Sequence, residues 1–252
     1  MNNWKKWVLV SSCLPLALMM GACARQYTAG SMNYTAYRIR NTMPADNALQ
    51  DMLLPYADSV NKSMNKVIAE VEVALDKKQP ESKLGNVLAD AMKQEGERLY
   101  GMAIDAAFVN YGGVRLTQLP AGPLTIGKVF EIMPFDNILV LQKLPASTVK
   151  ELLDHIAARG GWPCSGVQFQ IRDKKAESIL IGGEPFDPNK EYVIANADFI
   201  ANGGDDCWMM RKYPQINKGY LVRDAFIQYF SRLGQEGKKI NAELENRIVN
   251  AQ

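Results

Sequence analysis

The sequence predicts an α+β fold in a single domain, with a mixed β-sheet packed by helices. Three observations support this fold class. Candidate strands and helices alternate irregularly, without the strict βαβ period of a doubly wound sheet. The 252 residues contain no internal repeat, and no linker of biased composition interrupts the chain after residue 45. Apolar residues make up 47% of the chain, which is enough to form a sizeable hydrophobic core.

Helical periodicity and capping residues predict four principal helices. The first begins at Asp46 and is expected to kink at Pro55. The second follows Ser82, which is placed as its N-cap. The third opens with the capping box Thr148-x-x-Glu151 and ends before two glycines. The last covers residues 221–233, where apolar side chains again recur at helical spacing.

Strands are predicted where short apolar runs alternate with polar residues or are continuously apolar. These runs are residues 66–75, 104–110, 138–141, 167–172, 178–181 and 192–197. The domain that these elements form is expected at residues 46–252. Residues 23–45 show no sustained period and are interpreted as a tether.

Residues 1–22 have the pattern of a lipoprotein signal peptide. Lys5 and Lys6 give a positive start, residues 8–20 are mostly apolar, and small residues precede Cys23. The apolar run is too short to span a bilayer. This end of the segment resembles the lipobox of bacterial lipoproteins, which implies lipidation of Cys23. It also implies attachment to a membrane of the bacterial cell envelope, on the periplasmic side or at the cell surface. An uncleaved anchor and a plain secretory signal are the alternatives.

The charge balance argues against one class of function and the histidine count against another. The formal net charge is +2, but without residues 1–22 the chain carries 27 basic and 27 acidic residues. A chain without a net positive field gives no reason to expect nucleic acid as a partner. Its single histidine counts against a multi-histidine metal centre built by this chain.

Two cysteines remain after the signal segment and Cys23. An oxidising envelope would permit Cys164 and Cys207 to form a disulfide, but the sequence does not say whether they lie within reach. Free thiols and a disulfide therefore both stay open. The chain has no C-x-x-C motif, so a zinc or redox site is not supported.

Three loops next to predicted strands concentrate residues suited to binding a ligand. Glycines let the backbone approach a ligand closely, arginine supplies a permanently charged fork, and aromatic rings stack on planar groups. The candidate residues are Asn110, Gly112, Gly113 and Arg115 in the first loop, Phe135 and Asn137 in the second, and Phe199, Gly204 and Asp205 in the third. Each loop alone is also compatible with an ordinary surface turn. Together the three loops predict one binding site.

The same residues carry a resemblance to a known family. Six motifs occur in order: G-N-x-x-A-D-A from Gly85, N-x-G-G-V-R from Asn110, P-F-x-N from Pro134, S-G-V from Ser165, G-x-P-x-D from Gly183 and F-x-A-N-G-G-D from Phe199. This set resembles the C-terminal domain of the 5'-nucleotidases, a group that includes UDP-sugar hydrolases, over roughly residues 60–235. The resemblance implies an α+β unit, like that C-terminal domain, which binds the nucleoside part of a nucleotide.

The resemblance also implies roles for individual side chains. Phe135 and Phe199 would stack on the base, and Asn110 would form a hydrogen bond with it. Asp205 would accept hydrogen bonds from the ribose hydroxyls. Arg115 would contact the ribose–phosphate side of the ligand.

Catalysis by this chain alone is not expected. Full-length family members hold two divalent metals in a preceding metallophosphatase domain through motifs such as D-x-H and G-H-x-H, and this sequence contains neither. Its one histidine, His155, is expected at the surface. Ser165 and Cys164 lack a recognisable base partner. The resemblance therefore implies no catalytic residue, metal ligand or cofactor in this chain, with divalent metals held by a separate metallophosphatase chain. Asn137 would give structural support.

Three functions follow from these observations. The favoured hypothesis is the substrate-binding half of a split 5'-nucleotidase, in which a metallophosphatase chain hydrolyses the phosphate ester. The second is a lipid-anchored module that binds a nucleoside or nucleotide without an enzymatic partner. The third is a structural lipoprotein that has lost its ligand, and the retained Phe135, Phe199, Asp205 and Arg115 argue against it.

Overall fold

The computed structural model of this chain describes residues 30–38, 40 and 42–251. The expected signal peptide, the lipidation site Cys23 and the first part of the tether lie outside the described residues. The chain divides after Gln50 into two units. In the first unit, the described residues before Asn47 are exposed and belong to neither a helix nor a strand.

The four predicted helices are present, together with two short helices that the sequence did not predict. Among the residues that the structure describes, the α-helices are α1 Asn47–Met64, α2 Lys83–Tyr100, α3 Ile126–Ile132, α4 Ala146–Ala158, α5 Asp198–Ala201 and α6 Val222–Gln235. The predicted N-cap of α2 is confirmed, because the Ser82 hydroxyl accepts the N–H of Gly85 at 3.1 Å. Helix α1 contains Pro55 within its span. No helix among the described residues is both long and apolar enough to cross a bilayer.

The predicted capping box of α4 is wrong. The helix begins at Ala146, before Thr148, and its N-cap Pro145 offers no side-chain hydrogen bond. The Thr148 hydroxyl instead shares a hydrogen bond of 2.6 Å with the hydroxyl of Tyr213. The Thr148 hydroxyl, which the local motif placed at the helix N-terminus as a cap, is therefore used in a tertiary contact.

The strands form two larger sheets and two short pairs. They are β1 Val67–Val71, β2 Leu75–Asp76, β3 Ala106–Phe108, β4 Gln118–Leu119, β5 Gly122–Thr125, β6 Ile138–Pro145, β7 Cys164–Ser165, β8 Val167–Arg172, β9 Lys175–Ile181, β10 Glu184–Pro185, β11 Glu191–Ala197, β12 Ile216–Leu221 and β13 Ile248–Asn250. The single strand predicted at 66–75 is two strands, because β1 pairs with β5 whereas β2 pairs with β4.

The five-stranded sheet determines where the candidate loops meet. Its strand order is β12-β6-β11-β3-β7, with β11 parallel to β3 and antiparallel to β6. This mixture of directions confirms the predicted mixed sheet. Because β6 runs opposite to β3 and β11, its first residue lies at the same edge as the last residues of the other two strands. The loops after β3, before β6 and after β11 therefore leave from one edge.

Both faces of this sheet are covered by apolar side chains. Leu139 and Leu141 of β6 belong to a cluster with buried residues of α2 and α6. Leu144 and Ile194 belong to a second cluster with α4 and the sheet of order β10-β9-β8-β13. Burying one such side chain contributes about 1.5–3 kcal/mol to folding. The loops at the edge of this sheet therefore extend from strands that are packed on both faces.

Candidate functional site

The candidate residues converge on one cavity of about 300 Å³. Its lining consists of Asn110, Gly112, Gly113, Arg115, Phe135, Asn137, Phe199 and Asp205. The remaining candidate, Gly204, contacts Phe199, and a Cβ atom at this glycine would lie 2.5 Å from the phenylalanine ring. A glycine at residue 204 is therefore what allows the Phe199 ring its position.

Two aromatic rings and a cation border the cavity. Phe135 is half-buried, while Phe199 is 42% exposed. The Arg115 guanidinium lies over the Phe135 ring, 5.0 Å from its centroid. Arg115 is exposed and forms no ion pair with any residue that the structure describes. Its fork is therefore available to an anionic group, and both rings are available to a planar one.

The first and third loops are joined by a side-chain hydrogen bond. Asn110 is buried, and its Nδ2 donates to Oδ2 of Asp205 at 2.7 Å. This bond leaves the second carboxyl oxygen of Asp205 for other donors, because a carboxylate accepts several hydrogen bonds. Asp205 itself has a φ of +49°, and Asp206 has a φ of +62°. Consecutive left-handed residues other than glycine are costly, so the surrounding contacts must hold this turn.

Helix α4 and the residue that directly follows it supply two such contacts, which the sequence did not predict. His155 is half-buried rather than on the surface, and its Nε2 lies 2.8 Å from the carbonyl oxygen of Asp205. Arg159, one turn later, donates to the Asp206 carboxylate. Because about 50 residues separate these partners in the chain, no local pattern could have indicated the contacts.

A second cation supports the first loop. The Lys77 ammonium donates to the carbonyl oxygen of Val114 at 2.7 Å and lies 3.8 Å from the centroid of the Tyr111 ring. Burial lowers the pKa of Lys77, and the neighbouring charge of Arg115 lowers it further. Lys77 therefore stabilises the first loop, whereas Arg115 in the same loop is exposed.

The nucleophile candidates Ser165 and Cys164, together with Cys207, are either hydrogen-bonded or buried. The Ser165 hydroxyl donates to the Asp90 carboxylate at 2.6 Å. Cys164 and Cys207 are free, buried thiols, and burial raises the pKa of each to about 12. A thiol with so high a pKa is almost entirely protonated near neutral pH and is a poor nucleophile.

The described residues do not fit a divalent-metal centre. Across residues 30–38, 40 and 42–251, no three His, Cys, Asp or Glu side chains are grouped so that they could share a metal ion. The site is built from aromatic rings, hydrogen-bonding groups and an arginine, which are groups for binding a ligand.

The sequence of this chain is similar to those of several known proteins. The family described as 5'-nucleotidase, C-terminal domain, matches residues 65–212. Protein UshA of Escherichia coli (strain K12) is 33% identical over 141 residues, which cover 51% of this chain and 25% of UshA. The trifunctional nucleotide phosphoesterase protein YfkN of Bacillus subtilis (strain 168) is 27% identical over 206 residues, covering 73% of this chain and 14% of YfkN.

Solved structures share the same fold. The 5'-nucleotidase precursor from Thermus thermophilus is 29% identical, with a TM-score of 0.70, and the match covers 83% of this chain and 44% of that one. The NAD nucleotidase of Haemophilus influenzae has a TM-score of 0.63 at 17% identity, a likeness of fold alone. The chain thus spans less than half the length of these relatives. The predicted α+β fold class is confirmed.

Proposed function

The chain belongs to the 5'-nucleotidase C-terminal domain family, and from this membership we propose that it binds the nucleoside part of a nucleotide. The observation that carries the proposal is the cavity in which two aromatic rings, a carboxylate and the exposed Arg115 meet. These groups match the parts of a nucleotide, which combines a planar base, a sugar with hydroxyls and an anionic phosphate.

Each contact in the proposed complex has a physical reason. Phe135 and Phe199 stack on the base, and such stacking contributes about 1–3 kcal/mol per base. One N–H of the Asn110 amide is engaged with Asp205, so its second N–H and its oxygen are left to form hydrogen bonds with the base. Asp205 accepts from the ribose hydroxyls, and Arg115 attracts the ribose–phosphate side.

We further propose that hydrolysis of the phosphate ester takes place on a separate metallophosphatase chain. This domain would hold the nucleoside and present the phosphate to that chain. Fixing the orientation of the substrate in this way would raise the rate of hydrolysis. The divalent metals of the partner would polarise the phosphoryl oxygens and activate water. The names of YfkN and of the Thermus enzyme, which refer to nucleotide phosphoesterase and 5'-nucleotidase, support the reaction class.

The proposal includes the location expected from the N-terminal sequence. Acyl chains on Cys23 would hold the domain at a membrane of the bacterial cell envelope, where extracellular or periplasmic nucleotides are within reach. Its support is the pattern of residues 1–23 alone.

Ligand binding can be tested without a partner or added metal. Residues 24–252 are titrated with adenosine, AMP and a UDP-sugar by calorimetry and thermal unfolding. A ligand that binds only the native state stabilises it by about 2.7 kcal/mol at a hundredfold excess over Kd. We expect this stabilisation for wild type and its loss in Phe135→Ala and Phe199→Ala.

Phe186→Ala is the matched control, because Phe186 is half-buried and stacks on Tyr192 with ring centroids 5.6 Å apart, outside the cavity lining. This variant should bind as tightly as wild type. Binding of none of the three ligands, or undiminished binding by both site variants, would contradict the proposal. Full metal-dependent hydrolysis by this chain alone would contradict the separate partner.

A further inference from the structure

One carboxyl group connects the two loops that carry the aromatic rings. Oδ1 of Asp198 accepts the N–H of Ile138 at 2.9 Å and the N–H of Phe199 at 2.8 Å. Ile138 is the first residue of β6 and follows Phe135 by three positions, while Phe199 directly follows Asp198. A single oxygen atom is thus bonded to the backbone beside both rings.

The backbone ladder does not make this connection by itself. The last residue pair between β6 and β11 is Leu139 with Ala197, and beyond this pair the two chains diverge into their loops. The Asp198 side chain adds one bond past the end of the ladder by accepting the Ile138 N–H. It therefore fixes the separation of the loops at the point where the sheet no longer does.

Each loop also has an anchor of its own. On the Phe135 side, the buried Arg223 of α6 donates to the Phe135 carbonyl oxygen at 3.1 Å and to the Asp136 carboxylate at 2.7 Å. On the other side, the loop that carries Phe199 is attached to α4, where His155 Nε2 lies 2.8 Å from the carbonyl oxygen of Asp205. These anchors attach each loop to the body of the domain, whereas the Asp198 bonds attach one loop to the other.

We propose that Asp198 is a positioning residue that sets the spacing of the Phe135 and Phe199 rings, and so the fit of a flat base in the cavity. This inference rests on the proposed function, because the base is the group that the rings would hold. Asp198 is outside the lining of the cavity and acts through the backbone of its neighbours. The feature required is a hydrogen-bond acceptor, which an asparagine oxygen also provides.

The first arm of the test needs no ligand. Amide hydrogen exchange of Ile138 and Phe199 is measured in residues 24–252 of wild type, Asp198→Ala and Asp198→Asn. We expect both amides to exchange faster in Asp198→Ala and to keep their protection in Asp198→Asn. Unchanged protection in Asp198→Ala would overturn the link between the loops, whether or not any nucleoside binds.

The second arm measures affinity for adenosine by calorimetry. Asp198→Ala loses both hydrogen bonds of Oδ1, and the bond to Ile138 is the one that joins the two loops. Because a hydrogen bond to a charged group contributes enough free energy to change an equilibrium constant about tenfold, we expect about tenfold weaker binding by Asp198→Ala and binding within about twofold of wild type by Asp198→Asn. Asp187→Ala is the matched control, because its Oδ1 accepts the N–H of Asn189 in the turn before β11, and it should bind like wild type. Thermal unfolding confirms that every variant is folded at the assay temperature.

The outcomes separate the two proposals. Absence of adenosine binding by wild type overturns the proposed function for this ligand, while the exchange arm still decides whether Asp198 joins the loops. Binding by wild type with equal affinity in Asp198→Ala overturns the positioning role alone. Equal loss in the alanine and asparagine variants also overturns it, because the acceptor oxygen would then not be the required feature.

Discussion

At the scale of single residues, side chains of the candidate site are held in place by hydrogen bonds. Asp205 has a left-handed backbone conformation, yet its side chain and carbonyl oxygen are both engaged, by Asn110 and His155 respectively. Strained backbone that persists in this way is common where a side chain must point at a ligand. The cost of the turn is offset by the bonds that hold it.

Cys207 lies directly after this strained turn, so the accessibility of its thiol depends on whether the turn stays closed. Burial raises the pKa of Cys164 and Cys207 to about 12, so both are protonated at neutral and mildly alkaline pH in the folded state. We expect neither thiol of native residues 24–252 to react with Ellman's reagent at pH 8, and both to react once the protein is unfolded. Rapid modification of the native protein would contradict this expectation, and its loss in Cys207→Ser would show that the turn at Asp205 opens.

At the scale of elements, α6 packs unusually closely against β1. A Cβ atom on Gly234 would overlap the carbonyl oxygen of Ile68 and lie 3.2 Å from Cα of Ala69. A backbone neighbour cannot swing aside as a flexible side chain can. The absence of a side chain at residue 234 therefore sets the distance between this helix and the strand.

Gly234→Ala should consequently destabilise the domain, although alanine is the better helix former. Overpacking of this kind costs about 1–3 kcal/mol, which outweighs a helix propensity gain of about 1 kcal/mol. Urea unfolding measures the change. Gln235→Ala, at the next and exposed position of α6, is the control and should leave the midpoint nearly unchanged. A gain in stability from Gly234→Ala would contradict the close packing.

At the scale of the whole domain, one buried arginine joins segments that are distant in the chain. Arg247, just before the C-terminal strand β13, donates to both carboxyl oxygens of Asp90 in α2 at 2.8 Å and to the carbonyl oxygen of Cys164 at 2.7 Å. Burial alone would lower the pKa of Arg247, but its bonds with Asp90 and the charge of Glu245 raise it. The guanidinium therefore stays charged at all ordinary pH values.

Arg247→Met tests this network. Breaking a buried ion pair costs about 3–5 kcal/mol when its partner is left uncompensated, and because the Asp90 side chain is 27% exposed we expect about 3 kcal/mol. Urea unfolding gives the value, and the exposed Lys238→Ala, which removes the surface pair with Glu236, should change stability little. Equal stability of Arg247→Met and wild type would show that packing alone holds β13.

The sequence predicted much of the fold because its signals are local. The Ser82 cap, the apolar periodicity of α2 and α6, and the apolar run of β6 each depend on neighbours within a few residues. The same locality explains the errors. Thr148 satisfies a local capping motif, but Tyr213, 65 residues away, takes its hydroxyl. The run at 66–75 is divided because its two parts pair with different strands.

The sequence by itself determined which residue types stand on the three loops, through glycine, aromatic and charged residues in six ordered motifs. Only the tertiary structure decided that these loops leave one edge of the sheet, since this depends on β11 lying between β3 and β6. It also decided that Asp198, His155 and Arg223 support the site. The physical reason is the distance along the chain over which each interaction acts. Capping and periodicity depend on residues a few positions apart, whereas hydrogen bonds between loops form only when the strand order brings the loops together.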